Sequence, residues 1–213
     1  MTQTINLGPE VYVTDPCYSV PTWCQKKLTN VLPGEWIVSM IYDELGGSNR
    51  NAELYLIHKD YQSTRGLSFD WLGDFGVDSG QAGVFDAASY RDDAYAAGIT
   101  RPKLRQEFSL PGELTEGDAW YETICHFTLE GDGWGAYDAG VVSSSGYGDG
   151  MYPVYGAEVD GKIVALQLVF ISQEEEDEDD WDDSDCCSEC GAELEFDGTC
   201  DYCEHFENSK NED

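Results

Sequence analysis

The chain predicts a mainly β fold, a sandwich or a barrel with one or two short helices, followed by a small four-cysteine zinc ribbon on an acidic tether. Three observations carry that expectation. Between Glu10 and Ser172, short runs rich in Val, Ile, Tyr and Trp alternate with Gly, Pro, Asn and Asp punctuation, as strands alternate with turns. In Glu174–Asp183 nine of ten residues are acidic and the tenth is Trp181, a run that has nothing to bury. Two C-x-x-C pairs then crowd into the C-terminal end.

Taken in order, Thr22 is positioned to cap a short helical turn through Leu28. Glu35–Tyr42 and Ala52–His58 read as two strands joined through Gly46-Gly47-Ser48-Asn49, a hairpin. Asp86 is a candidate N-cap for a helix over Ala87–Ala97, with Gly98 ending it and Arg101-Pro102 preventing continuation. Trp120–Glu130 alternates, with Tyr121, Thr123, Cys125, Phe127 and Leu129 on one face, and reads as a half-buried strand. Lys162–Ile171 is the most apolar run and is expected at the centre of a sheet. Asp160-Gly161, after Val154–Val159, signals a second hairpin. The division expected is 1–172 for the β-rich domain, 173–185 for an extended linker, 186–206 for the ribbon and 207–213 for a frayed end.

Composition limits the function classes. An apolar fraction of 41% with 13% aromatics suffices for a core, and no run of 18 apolar residues suggests a membrane span. The start, Met-Thr-Gln-Thr-Ile-Asn, lacks the basic and apolar segments of a secretory signal, so a cytoplasmic address is expected. Net charge is −32, with 19 acidic residues against Lys210 alone in residues 173–213, and 24 acidic against 10 basic before them. Direct binding to nucleic-acid phosphates or anionic membranes is disfavoured, because both need a basic patch. The acidity suits a protein partner with a basic surface, although it also serves solubility.

Cys187-Ser-Glu-Cys190 and Cys200-Asp-Tyr-Cys203 have the ligand spacing of a zinc ribbon. Gly191 permits the tight turn after the first pair, and Asp197-Gly198 reverses the chain between the pairs. Four thiolates leave no open position on the ion, so Zn2+ is expected to be structural, and the folding energy of so small a segment comes from the metal. Two C-x-x-C disulfides or unbound thiols are the competing arrangements, Cys186 is a spare thiol, and His205 is near enough to compete.

Three segments of the β-rich domain carry Gly and Asp together: Val13–Tyr18, Gly76–Asp86 and Ser143–Tyr155. Asp15, Asp78 and Asp149 are the candidate catalytic carboxylates, able in principle to gather oxygen ligands around a divalent cation and activate water. Ser79, Gln81, Asp86 and Tyr152 are the candidate ligand-binding residues. The plainer reading assigns the same residues to turns and bulges. Cys125 and His126 project to opposite faces if their segment is a strand, so they form no local nucleophile pair. Cys17 is expected to be a buried, inert thiol and not a partner of His58. Trp134, Tyr137, Tyr147 and Tyr155 are core residues by default and a binding surface where exposed.

The motifs Asp15-Pro16-Cys17-Tyr18, Gly76-Val-Asp-Ser-Gly-Gln-Ala-Gly83 with Asp86, Trp120-Tyr121, and Ser145-Gly-Tyr-Gly148-Asp-Gly150-Met-Tyr152 resemble those of a bacterial and phage domain-of-unknown-function family. The resemblance spans about Glu10–Ile171. It implies a shared fold and transfers no catalytic residue; the acidic tether and ribbon lie outside it.

The function expected is that of a non-enzymatic interaction protein, an inhibitor or immunity-type role being one version. The alternatives are a metal-dependent hydrolase built on Asp15, Asp78 and Asp149, or a small-ligand-binding protein using Arg91, Arg101 or Arg105.

Overall fold

The computed structural model describes residues 2–43, 50–62, 66–96, 116–129 and 132–172, all within one unit, Met1–Gln173. Eleven strands are present among them: β1 (Thr2–Leu7), β2 (Glu10–Thr14), β3 (Lys26–Thr29), β4 (Gly34–Tyr42), β5 (Asn51–His58), β6 (Asp70–Val77), β7 (Gln81–Asp86), β8 (Trp134–Tyr137), β9 (Gly140–Ser144), β10 (Gly150–Val159) and β11 (Lys162–Val169). One α-helix, α1 (Asp118–Leu129), and two 3-10 turns, Lys59–Tyr61 and Asp93–Ala96, accompany them. The strands form two antiparallel sheets, ordered β1-β4-β5-β11-β10-β6 and β3-β2-β7-β9-β8. Neither closes on itself, so the architecture is a sandwich and not a barrel.

Alternation along each strand divides core from exterior. Trp36, Val38, Leu54, Leu56, Leu166 and Leu168 of the larger sheet meet Val11, Val13, Val84 and Val141 of the smaller one in a single buried cluster. Burying side chains of this size stabilises the fold by roughly 1.5–3 kcal/mol each before entropy is counted. β11 is internal to its sheet, as its apolar run predicts, and it pairs β10 through Asp160 and Gly161. Both turn residues have positive φ, 52° and 73°, as a two-residue hairpin turn requires. β4 and β5 pair from Trp36–His58 to Tyr42–Asn51, confirming that hairpin; its Gly46–Asn49 turn lies outside the described residues.

Three sequence expectations are corrected. The Trp120–Glu130 segment is helical, not extended, over Asp118–Leu129. Trp120, Ile124 and Phe127 recur at helical spacing and pack on Phe85 and Val142, the outward residues of β7 and β9. The apparent alternation runs through Tyr121, Thr123 and Cys125, which a helix tolerates equally well. The turn that starts at Thr22, where Gln25 N donates to Thr22 O at 3.4 Å, stops short of Leu28: the chain enters β3 at Lys26, and Leu28 pairs with Val11 and is buried. Asp86 does not cap a helix over Ala87–Ala97. Its own amide donates to Ala139 O and the Ala87 amide to Glu10 O, which holds the backbone in the sheet. The Asp86 carboxylate instead caps a turn by accepting from Ala88 N at 3.0 Å. A 3-10 turn over Asp93–Ala96 is what remains of that helix; Ala97 and Gly98 lie outside the described residues.

Asp93 has a larger task. Its carboxylate accepts from Gly117 N at 3.1 Å and Trp120 N at 2.9 Å, so a residue 25 positions before Asp118 caps α1.

Among the described residues no helix is long and apolar enough to cross a membrane. The expected linker, the zinc ribbon with Cys187, Cys190, Cys200 and Cys203, and the terminal tail lie outside the described residues, as do Arg101 and Arg105.

Candidate functional site

The three Gly/Asp segments meet at one end of the sandwich. β2 ends there at Thr14, which pairs with Gly83; β7 begins there at Gln81, which pairs with Ser144; and β10 begins there at Gly150, which pairs with Val77. The chain passes between sheets through residues 78–80 and again through 145–149, so turn residues concentrate at this corner for topological reasons.

Asp15 organises the corner. Its buried carboxylate accepts four hydrogen bonds: Oδ1 from Cys17 N at 2.8 Å and Ser79 Oγ at 2.7 Å, Oδ2 from Asp78 N at 2.8 Å and Ser79 N at 2.7 Å. Asp149 Oδ1 accepts from Gly80 N at 3.0 Å, and Ser145 N donates to Gly80 O at the same distance. Tyr152, buried, donates its hydroxyl to Gly148 O at 2.7 Å. The structure therefore brings Asp15, Asp78, Ser79, Gln81, Asp149 and Tyr152 together. The carboxylates of Asp15 and Asp149 are turned onto backbone amides. Among the described residues no group of three or more His, Cys, Asp or Glu is placed to hold a metal ion. Asp86 stands apart at the far end of β7, about 17 Å along the strand from Gln81, where it accepts from Gly8 N.

Behind the carboxylate ties lies a set of protonated groups. Burial, reinforced by the Asp15 charge, pushes the Cys17 thiol up to about 12. Burial also raises Cys125, whose sulfur receives a hydrogen bond from Gln81 Nε2 at 3.7 Å, and raises Tyr121, whose hydroxyl meets Cys125 and Ser79. None of these thiols is held as the thiolate that nucleophilic chemistry needs. His58, distant in role, packs edge-on against Trp36 and accepts from Asp60 N at 3.2 Å. Two arginines reach this region: Arg50, whose Nη1 donates to Gly146 O at 3.1 Å, and Arg91. Arg91 Nη1 donates to Pro16 O at 2.9 Å, its guanidinium lies 6.0 Å from the Trp120 ring and 5.9 Å from the Tyr121 ring, and Asp118 is 4.0 Å away. Its φ of 61° is left-handed, a conformation that this network of contacts holds in place.

A second feature adjoins the corner on the outer face of the larger sheet. Tyr55, Tyr61, Leu67 and Phe69 cover Ile57, Ala157 and Ala165 on part of that face. Toward the β6 edge the cover stops. Met151, 60% exposed, is the register partner of Gly76, and a Cβ on Gly76 would meet Trp23 Cζ3 at 2.3 Å. Trp23 thus lies across the Gly76 backbone on the side to which Met151 projects, yet is itself 64% exposed. Asp74 shares this face by the two-residue period of the strand. Trp71, 61% exposed, donates Nε1 to Asp74 Oδ1 at 3.1 Å. Tyr18 stands edge-to-face with Trp23, ring centroids 6.3 Å apart, and donates its hydroxyl to Asp78 Oδ2 at 2.5 Å. That bond to Asp78 is the main reason the Tyr18 phenol is pushed up to about 12.

Of the aromatic residues singled out in the sequence, Trp134 is buried, Tyr137 accepts from Trp120 Nε1 at 3.1 Å, Tyr155 is half-buried and Tyr147 is exposed. Trp23, Trp71 and Met151 are additions that only the structure makes. A signal exists for Trp71, which stands in Asp70-Trp71-Leu72-Gly73-Asp74, too polar a setting for a tryptophan inside a core.

Comparison with protein-family models, with curated proteins and with solved structures found no match for this chain.

Proposed function

We propose that this is a non-enzymatic binding protein whose partner is a protein with a basic surface, engaged by the outer face at β6 and β10. The observation that carries the reading is the grouping of Trp23, Trp71 and Met151, each at least 60% exposed, beside the exposed carboxylates of Asp74 and Asp78. Exposed aromatic and methionine side chains gathered on one face are uncommon on a surface that contacts only water, and they are the residue types that anchor interfaces. The neighbouring corner supports the same reading. The carboxylates of Asp15 and Asp149 are engaged by amides and the Cys17 and Cys125 thiols are held protonated, which is the chemistry of a rigid frame for the face and not of a reaction centre.

In this reading residues 173–185 form an acidic tether, and Cys187, Cys190, Cys200 and Cys203 hold one structural Zn2+ in a second interaction element. An inhibitor that occupies a basic nucleic-acid-binding surface is one version of such a protein, since acidic charge steers association with a basic partner.

The test compares capture from a native lysate by the wild-type chain and by a Trp23→Ala, Trp71→Ala, Met151→Ala variant with an unchanged circular dichroism spectrum. The reading expects specific partners held by the wild type and released by the variant. Equal capture by the two proteins overturns it. Metal analysis of the reduced full-length chain should give one zinc per molecule, falling when Cys187 and Cys190 are replaced by Ser.

A further inference from the structure

Resting on that binding-face reading, we infer that the face takes an extended polypeptide segment bearing two arginines four residues apart, one over Trp71 and Asp74, the other over Trp23 and Asp78. The face carries a repeated unit. Each of two exposed carboxylates is fixed by a hydrogen bond from an aromatic residue: Asp74 Oδ1 by Trp71 Nε1 at 3.1 Å, Asp78 Oδ2 by Tyr18 Oη at 2.5 Å. The second oxygen of each carboxylate, Asp74 Oδ2 and Asp78 Oδ1, has no hydrogen-bond donor among the described residues. Beside each lies a largely exposed indole, Trp71 in the first unit and Trp23, edge-to-face with Tyr18, in the second. An oriented carboxylate next to an indole face is what a guanidinium binds best, through a charge-assisted bond on its edge and stacking on its plane. An ammonium is a compact point charge, and gains less from the indole.

Spacing then selects the segment. Asp74 lies within β6 and Asp78 is the first residue beyond its end, at the bend that leads to the smaller sheet, so the two are up to about 13 Å apart at the rise of an extended strand. A ligand strand rises by the same amount, so side chains at i and i+4 of an extended segment point one way with the same separation. Charge complements the choice: Asp70, Asp74 and Asp78 are all exposed. Lys26 Nζ approaches β6 at Gly73, the register partner of the core-facing Val154, and so lies on the other side of the strand from Asp74.

The experiment titrates the full-length chain with fluorescent synthetic peptides of neutral, glycine- and serine-rich background. They carry R-x-x-x-R, R-x-x-R, K-x-x-x-K or Q-x-x-x-Q. The expected order is R-x-x-x-R tightest, by about tenfold over the shorter spacing and over lysine, with glutamine not binding, a difference of about 1.4 kcal/mol per tenfold step. Asp74→Asn, Asp78→Asn and Trp71→Ala should each weaken R-x-x-x-R by about fivefold or more, while Asp60→Asn, at an exposed carboxylate outside the face, should not. The inference is overturned by equal affinity for both arginine spacings, by no binding, or by an Asp60→Asn effect equal to that of Asp74→Asn. If the peptides show no preference while the three-residue variant still loses the partner captured by the wild type, the arginine reading falls and the binding face stands.

Discussion

Asp15 and Ser79, 64 positions apart in the chain, are joined twice: the carboxylate takes the Ser79 hydroxyl on Oδ1 and the Ser79 amide on Oδ2, both at 2.7 Å. The pair closes the corner where β2, β6 and β7 meet. Removing the carboxylate leaves the part-buried Asp78 and Ser79 amides without an acceptor. Asp15→Ala should therefore lower unfolding free energy by about 2–4 kcal/mol, and Ser79→Ala, which keeps the amide bond, by about 1 kcal/mol. Asp15→Asn should fare little better than alanine, because an amide presents donors to donors. Urea unfolding monitored by tryptophan emission measures all three, and a double-mutant cycle gives the coupling.

Stability should decline on the alkaline side. The Cys17 thiol is raised from an ordinary value near 9 to about 12, and Cys125, Tyr90 and Tyr121 are raised chiefly by burial as well. For each, the folded state holds its proton more tightly than the unfolded chain. Stability is therefore fully present below about pH 9 and falls as pH rises through the window up to about 12 for Cys17. Thermal midpoints measured from pH 7 to 11 should fall once pH passes 9, and Cys17→Ala should make that fall shallower. A midpoint independent of pH over this range would contradict the protonated corner.

Thiol reactivity reads the same feature directly. At pH 8 Cys17 and Cys125 should alkylate at least about tenfold more slowly in the native protein than in denaturant, since only the thiolate attacks. Peptide-level mass spectrometry after brief iodoacetamide treatment resolves each cysteine.

The cap on α1 gives a test of the helical assignment. Asp93→Ala removes the acceptor for the Gly117 and Trp120 amides and should cost about 1–2 kcal/mol. Loss of near-ultraviolet dichroism from the Trp120–Tyr90–Phe85 ring cluster should accompany unfolding, because the helix carries Trp120 into that cluster.

Two glycines should behave in opposite ways. A Cβ on Gly83 would lie 2.2 Å from Val141 O and 2.5 Å from the buried Phe85 ring, and neither can retreat, so Gly83→Ala should destabilise severely or abolish soluble expression. At Gly161 a Cβ meets open space, and alanine there bears only the positive-φ penalty of about 1–2 kcal/mol.

The sandwich core is legible in the sequence because its signal is local. Strand periodicity in Glu35–Tyr42, Ala52–His58 and Lys162–Val169, and the Asp160-Gly161 turn, each follow from residues in contact with their sequence neighbours. Trp120–Leu129 misleads because a mixed apolar pattern fits both periods, and what settles it is nonlocal: a cap from Asp93 and a docking surface made by Phe85 and Val142. Asp86 does cap an amide, but the β-ladder to Glu10 and Ala139 decides which structure it caps. At the corner, composition marks Asp15, Asp78 and Asp149 as a group but not where their oxygens point. The outer face escapes for a related reason. Whether a tryptophan is core or surface depends on which side of an edge strand remains uncovered, and that is set by where Tyr61, Leu67 and Phe69 pack.

The hairpin turn at Asp160-Gly161 lies at the opposite end of β10 from Met151, roughly 26 Å away along the strand, with empty space around its glycine. An epitope or biotin-acceptor sequence spliced into that turn would anchor the protein to a sensor chip with its tryptophan-bearing surface directed toward the flow, so that association could be followed without chemical labelling of any lysine.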